Sequence, residues 1–178
     1  MEGYLVAAAQ AGDREALGRL VRLRGPRLMA HAARLLGDIE GARDVVQDAW
    51  VEIFRGIGGL REARAFLPWA LRIVSRRVAR AISRRQRDRR LAQDFVYETA
   101  GETPEAGPSA SDAVAVRRAI GVLPREQGAT VALFYLEELS VAEVAVAMDV
   151  PVGTVKTRLM HARKKLRAML EGEKNGQA

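Results

Sequence analysis

One segment of the chain carries arginines at a spacing that gathers their charges on one side of a helix. Residues 72–90 contain nine arginines and one aspartate. The predicted arginine ridge comprises Arg72, Arg76, Arg80 and Arg84, which recur every four residues, together with Arg77 and Arg87. Like charges four residues apart repel by roughly a few tenths of a kcal/mol per pair, so the ridge costs helix stability. Because a polyanion would offset that cost, and DNA phosphate is the commonest polyanion, the segment predicts a DNA-binding surface.

Trp69 stands at the start of the same segment, and helical-wheel geometry places it near the ridge. An aromatic ring in that position is able to stack on an unpaired base. Ordinary packing in the protein core accounts for the spacing equally well. The sequence leaves both interpretations open.

A second basic segment lies near the C-terminus, where residues 154–167 carry six Lys and Arg and no acid. Its apolar residues follow the spacing of one helix face, namely Val155, Leu159, Ala162 and Leu166. The opposite side holds Thr154, Thr157, His161 and Lys164, flanked by Lys156, Arg158, Arg163 and Lys165. An apolar-faced helix over about 141–148 and a break at 149–151 precede it. The pattern predicts a helix-turn-helix whose second helix enters the major groove of DNA.

Residues 44–54 combine an apolar stripe with an acidic face. The predicted core stripe is Val45, Val46, Ala49, Trp50, Ile53 and Phe54. The far side of that helix carries Asp44, Gln47, Asp48 and Val51. Such a face is either solvated or a docking surface for another protein, and these residues taken alone favour the solvated face.

Composition excludes several classes of chemistry. The chain has no cysteine and only two histidines, His31 and His161, which are far apart in sequence. We therefore expect no disulfide, no metal centre and no thiol nucleophile. There is no phosphate-binding glycine loop with a lysine and no supported catalytic triad, so neither catalytic residues nor a cofactor are expected. His31 is interpreted as a structural residue, and the lack of an apolar segment or leader favours a cytoplasmic location.

The charge distribution predicts the domain organisation. The chain of 178 residues carries 29 Lys and Arg against 22 Asp and Glu, a formal charge of +7, and is 48% hydrophobic. Residues 91–112 contain five acids and no base, with prolines, glycines and serines. We predict an all-α protein of two small helical domains, 1–90 and 113–178, joined by a flexible acidic linker over 91–112. Helix starts are expected at Asp13, Asp38, Pro68 and Pro124.

Several motifs in this order resemble the extracytoplasmic-function (ECF) sigma factors of bacterial RNA polymerase. In the first domain the matching residues are Gly12-Asp13 with Ala16, Leu35 to Asp38, Asp44 to Asp48, and Phe66 with Trp69 and Ile73. In the second domain they are Leu123-Pro124, Glu143 with Ala145, and Gly153 to Leu166. The resemblance covers nearly the whole chain. This sequence departs from the family pattern at Arg76 and Arg80, where Asn and Asp are frequent, at Asp149 in place of glycine, and at Pro151 in place of a serine cap.

The resemblance implies a role for each surface. Asp44, Gln47, Asp48 and Val51 would dock on the clamp of the β and β′ subunits of core RNA polymerase. The loop 56–66, with Arg61 and Arg64, would form a pocket for an extruded base of the melted minus-ten element. Trp69 and the arginine ridge would hold that strand, and extruding a base costs a few kcal/mol that these contacts must offset. The second domain would read the minus-thirty-five element through Thr154, Lys156, Thr157, Arg158, His161, Arg163 and Lys164. An anti-sigma protein is an expected partner, and a small-molecule substrate is not.

Two alternatives remain open at the level of sequence. A helix-turn-helix regulator that does not bind core polymerase would need neither the acidic face nor the arginine ridge. A nucleic-acid-modifying enzyme would need a metal or nucleophile site, which the composition does not offer.

Overall fold

The computed structural model describes residues 2–93 and 119–175. The chain divides into two compact units, Met1–Thr103 and Pro104–Ala178. Regular structure within the described ranges is helical, with no strand, so the prediction of an all-α fold is confirmed. No helix in those ranges is long and apolar enough to cross a membrane. Most of the predicted linker lies outside the described residues; its first three residues, 91–93, continue the helix before them.

The first unit contains four α-helices: α1 (Glu2–Gln10), α2 (Arg14–Leu36), α3 (Ile39–Gly56) and α4 (Phe66–Gln93). Two short 3-10 helices, Ile57–Gly59 and Ala63–Ala65, connect α3 to α4. The long helix α2 packs against each of the other three. The buried centre of the unit includes Leu20, Leu28, Ile53, Phe66, Leu71 and Val74.

Side-chain caps set the starts of α2 and α3 where the sequence predicted them. The carboxylate of Asp13 accepts the backbone N–H groups of Glu15 and Ala16. Asp38 accepts that of Glu40, one residue after Gly37 ends α2 in a left-handed conformation with φ of 71°. These bonds satisfy backbone donors that a helix leaves unpaired at its N-terminus.

The structure corrects three details of the predicted first domain. Helix α4 begins at Phe66, two residues before Pro68, and a proline in the first turn removes no helical hydrogen bond. Phe54, assigned to the core stripe, is 39% exposed and its ring lies 5.5 Å from that of Trp50. Helical spacing assigns Ile82 to the apolar stripe of α4 with Ile73 and Val74, but Ile82 is only half-buried, because the buried residues of α4 end near Val78.

The second unit contains α5 (Arg125–Tyr135), α6 (Val141–Met148) and α7 (Val152–Asn175), and residues 119–121 are also helical. Both α5 and α6 pack against α7. The core includes Ile120, Leu133, Val144, Val155, Leu159 and Ala162. The predicted helix-turn-helix is formed by α6 and α7.

The turn between α6 and α7 rests on local chemistry. Ser140 and Glu143 form a reciprocal capping box at the start of α6. Asp149 ends α6 in the left-handed region with φ of 54° and ψ of 46°, which short polar side chains tolerate better than most. The carbonyl of Pro151 then accepts the N–H groups of Thr154 and Val155. Aspartate thus adopts the conformation for which glycine is usual at this point.

Candidate nucleic-acid and polymerase interface

The acidic face of α3 points away from the core of the first unit. Asp44, Gln47 and Asp48 are exposed, and Val51 is 43% exposed. Val45, Val46, Ala49 and Trp50, on the other side of the same helix, are buried. The face therefore offers carboxylates and an apolar patch of Val51 and Phe54 to a partner.

Arg77 lies against this acidic face, although the sequence grouped it with the arginine ridge. Its Nη1 is 3.1 Å from Oδ2 of Asp48, and its Nη2 is 2.9 Å from Oε2 of Glu52. Its Nε also donates to Glu52 at 2.9 Å. The Arg77 side chain is only 27% exposed, so it braces α4 against α3. Glu52 was not singled out in the sequence, although it follows Asp48 by one helical turn.

A groove of about 330 Å³ runs between α3 and α4. Its lining residues are Gly41, Asp44, Val45, Asp48, Arg77, Arg80, Ala81, Arg84 and Arg85. Carboxylates from α3 form one wall and arginines from α4 form the other. The acidic face and the arginine ridge therefore share an edge.

Arg85, which lines the groove, forms an ion pair with Asp38, with Nη2 2.8 Å from Oδ2. The hydrogen bond from Arg85 lowers the pKa of Asp38, and the backbone N–H of Gly41 acts in the same direction. A Cβ atom on Gly41 would collide with both side chains and with Leu36. Glycine at this position lets the capping carboxylate and the arginine meet.

The remaining ridge residues face outward along α4: Arg72, Arg76, Arg80, Arg84 and Arg87 are all exposed. Beneath the ridge, His31 of α2 is 1% exposed, and its Nε2 is 2.8 Å from Oγ of Ser75 on α4. Burial lowers the pKa of His31 to about 3, and the charge of Arg34 adds to the effect. The imidazole is therefore neutral, and Nδ1 has no hydrogen-bond partner in the described part of the chain. His31 is structural, as predicted, with one ring nitrogen satisfied.

The loop between α3 and α4 exposes both of its arginines, Arg61 and Arg64. Trp69 is half-buried, with its ring centroid 6.1 Å from that of Phe66. A Cβ atom on Gly56 would stand 3.1 Å from Cζ2 of Trp69, so the indole also covers the end of α3. Packing thus orients this ring while part of it remains accessible.

Helix α7 presents the predicted polar residues on its outer side. Thr157, His161, Lys156 and Lys164 are exposed, and Thr154 is half-buried. The hydroxyl of Thr157 donates to the carbonyl of Gly153 at 3.0 Å, which leaves its oxygen lone pairs for a donor on a base. On the predicted core face of α7, Val155, Leu159 and Ala162 are buried, whereas Leu166 is only half-buried.

Two cations on the flanks of α7 are held by α5. Arg158 pairs with Glu126, and its side chain is only 17% exposed. Arg163 donates from Nε to the hydroxyl of Tyr135 at 2.8 Å, and its guanidinium carbon lies 5.8 Å from the centre of that ring. Both arginines therefore orient α7 against α5, and they add positive charge beside its exposed face. Within the described ranges, no group of three or more His, Cys, Asp or Glu could hold a metal ion.

Comparison with known proteins defines the class. Residues 20–88 match the family described as Sigma-70 region 2, and residues 113–166 match Sigma-70, region 4. The chain is therefore a sigma-70 family protein, and one matched region lies within each of the two units that carry the surfaces described above.

Relatives of similar length narrow the class. The ECF RNA polymerase sigma factor SigM of Mycobacterium tuberculosis is 35% identical over 170 residues, covering 95% of this chain and 84% of SigM. SigW of Bacillus subtilis, another ECF sigma factor, is 28% identical over 93% of this chain and 94% of its own. The protein belongs to the ECF sigma factors: it is an RNA polymerase sigma factor, not a helix-turn-helix regulator that acts without the polymerase.

Solved structures agree with this assignment. CnrH, determined in complex with the cytosolic domain of CnrY, is 27% identical with a TM-score of 0.63, covering 96% of this chain and 97% of CnrH. The sigma factor RpoE of Bartonella quintana, solved with the anti-sigma factor NepR, has a TM-score of 0.67 at 21% identity, covering 86% of this chain and 96% of that one. The second likeness concerns the fold alone.

Proposed function

We propose that the exposed face of α3 is the surface by which this sigma factor docks on the clamp of the β and β′ subunits. Asp44, Gln47, Asp48 and Val51 provide the contacts. The observation that carries this proposal is that carboxylates and an exposed apolar patch share one face, while the opposite side of α3 is buried. An apolar centre with charged neighbours is typical of a specific protein interface.

The melted minus-ten element binds beside that face in this proposal. Arg72, Arg76, Arg80 and Arg84 contact its phosphates, and Arg61, Arg64 and Trp69 surround the base extruded into the loop 56–66. Support comes from the exposure of the ridge and from the partly accessible Trp69 ring. Arg77 acts mainly as a brace for Asp48 and Glu52, because its three donor contacts to carboxylates orient it toward α3.

The minus-thirty-five element is read by α7. Thr154, Thr157 and His161 reach base edges, and Lys156 and Lys164 contact phosphates. Arg158 and Arg163 hold the angle of α7 and contribute to its electrostatic field. The N-terminal half of a recognition helix is the part that enters the groove, and Thr154, Thr157 and His161 lie in that half of α7.

In this proposal an anti-sigma protein controls the sigma factor, so that the activity of the sigma factor depends on a signal. The sigma factor works in the cytoplasm, where the polymerase is. The support is that two chains of similar fold were solved in complexes, CnrH with the cytosolic domain of CnrY and the sigma factor RpoE with the anti-sigma factor NepR. A partner that covers the acidic face would compete directly with the polymerase.

The docking surface is tested by Gln47→Lys, which places a cation on the face without breaking the Asp48–Arg77 pair. We expect affinity for core polymerase to fall at least about tenfold, roughly 1.4 kcal/mol, with unchanged circular dichroism. The charge-reversing control is Glu15→Lys on α2, where the side chain is 72% exposed. Full core binding by Gln47→Lys would refute the assignment of this face.

A further inference from the structure

The N-terminal helix reaches the loop between α3 and α4 through one side chain. Nε2 of Gln10 donates to the carbonyl of Ile57 at 3.0 Å and to the carbonyl of Leu60 at 2.7 Å. The first carbonyl belongs to the first residue of the 3-10 turn Ile57–Gly59, and the second belongs to the residue that follows the turn. A single carboxamide thus uses both of its N–H groups to fix the two ends of the turn.

The turn has few other ties. Gly58 and Gly59 have open space where a side chain would stand. Inside the turn, the N–H of Leu60 donates to the carbonyl of Ile57 at 3.1 Å, and Ile57 itself is buried. Two adjacent glycines lose more conformational freedom on ordering than other residues would, so a fixed shape here depends on external contacts.

Gln10 is itself well anchored. It is the last residue of α1, and the chain turns directly after it: the N–H groups of Gly12 and Asp13 donate to the carbonyls of Ala9 and Ala8, both at 3.0 Å. Asp13 then caps α2. Because Leu5, Val6 and Ala9 are buried and Glu2 pairs with Arg24 of α2, α1 is fixed on the bundle.

We propose that Gln10 is a positioning residue for promoter recognition: it holds the turn 57–60 in the one shape that discriminates the extruded base of the minus-ten element. This inference rests on the proposed role of the loop 56–66 as the base pocket. It adds that selectivity at that base depends on α1, because Gln10 of this helix binds the loop. A change at Gln10 therefore alters base selectivity without altering polymerase binding.

The test compares Gln10→Leu and Gln10→Glu with the parent. Both substitutions keep the approximate size of the side chain and remove both donors. Ala7→Glu, on an exposed position of α1, is the control for added charge on this helix. Each full-length protein is assembled with core polymerase, and a promoter library randomised across the minus-ten and minus-thirty-five elements is transcribed and sequenced.

We expect the preference of the parent for its best minus-ten base over the next to fall at least about fivefold in both Gln10 variants. The minus-thirty-five preference, the affinity for core polymerase and the thermal midpoint should stay near those of the parent and of Ala7→Glu. Backbone amides of the loop 57–60 should exchange with solvent faster in the two variants.

The outcomes separate the inference from the function on which it rests. If the parent discriminates at the minus-ten element and both Gln10 variants retain its full preference, the positioning role is refuted and the pocket stands. If the parent shows no preference at any minus-ten base, both the base pocket and the positioning role of Gln10 are refuted. If thermal stability drops while the preference is kept, Gln10 is only a structural contact and the inference is wrong.

Discussion

Lowering the pH from 7.5 to 5.0 should destabilise the first unit through His31. This imidazole is 1% exposed and its pKa is lowered from 6.5 to about 3, chiefly by burial. The unfolded chain therefore takes up a proton near pH 6.5, whereas the folded chain stays neutral until the pH approaches 3. The free energy of unfolding therefore has its full value above pH 6.5 and decreases as the pH falls from 6.5 toward 3.

The size of the loss follows from the interval that is crossed. Between pH 6.5 and 5.0, protonation of the histidine stabilises the unfolded state by about 1.36 kcal/mol for each pH unit. The free energy of unfolding should therefore fall by about 2 kcal/mol. Asp38 also has a lowered pKa, but it starts from 3.8 and costs stability only at lower pH. The chosen pH range therefore isolates the histidine from that carboxylate.

Urea unfolding followed by tryptophan fluorescence measures the effect in the full chain. The two tryptophans, Trp50 and Trp69, are both in the first unit, so the signal reports on that unit alone. His31→Gln keeps a group that can bond Ser75 and cannot titrate, and it should reduce the pH effect to below about 0.5 kcal/mol. His161→Gln should leave the full effect. A parent equally stable at both pH values, or His31→Gln with the same loss as the parent, would contradict the argument.

Two further predictions separate braces from DNA contacts. Arg80→Gln should make the plot of log affinity for promoter DNA against log salt concentration shallower by about one unit of slope. Arg77→Gln should leave that slope unchanged and should weaken binding to core polymerase, because Asp48 loses its partner. Equal salt slopes for the two variants would show that Arg77 contacts DNA. In the second unit, His161→Ala should change the preferred minus-thirty-five sequence by roughly 1–3 kcal/mol at one base, and Arg158→Gln should lower transcription from all sequences together. A selection on randomised minus-thirty-five sites measures both, and a shifted preference in Arg158→Gln alone would reverse their roles.

The faces of α3 and α7 are examples of what periodicity predicts well. Residues three and four apart must share a side of a helix, so the burial of Val45 and Ala49 and the exposure of Asp44 and Asp48 follow from spacing. Phe54 breaks the pattern because it lies three residues after the exposed Val51 and turns toward that side of α3, whereas Ile53 and Ile57 continue the buried side.

Local chemistry in the sequence was equally informative at helix ends. Asp13 and Asp38 cap the helices that follow them, and Asp149 takes the left-handed conformation at the turn. Each of these events depends on atoms within a few residues, so sequence is sufficient. Pro26 is the opposite case: it lies inside α2, where a proline costs about 3 kcal/mol in an isolated helix, and the packing of α2 against three neighbours offsets that cost.

The sequence by itself determined the helical class, the division of charge between two basic segments and the side of each helix that faces outward. Only the tertiary structure decided what each arginine meets. Spacing grouped Arg77 and Arg158 with the candidate DNA contacts, and the structure adds that each pairs with carboxylates on a neighbouring helix. Gln10 carried no sequence signal, because the carbonyls that it binds are 47 and 50 residues away. Helical periodicity fixes directions relative to a helix's own axis; which partner lies in that direction depends on how separate helices pack.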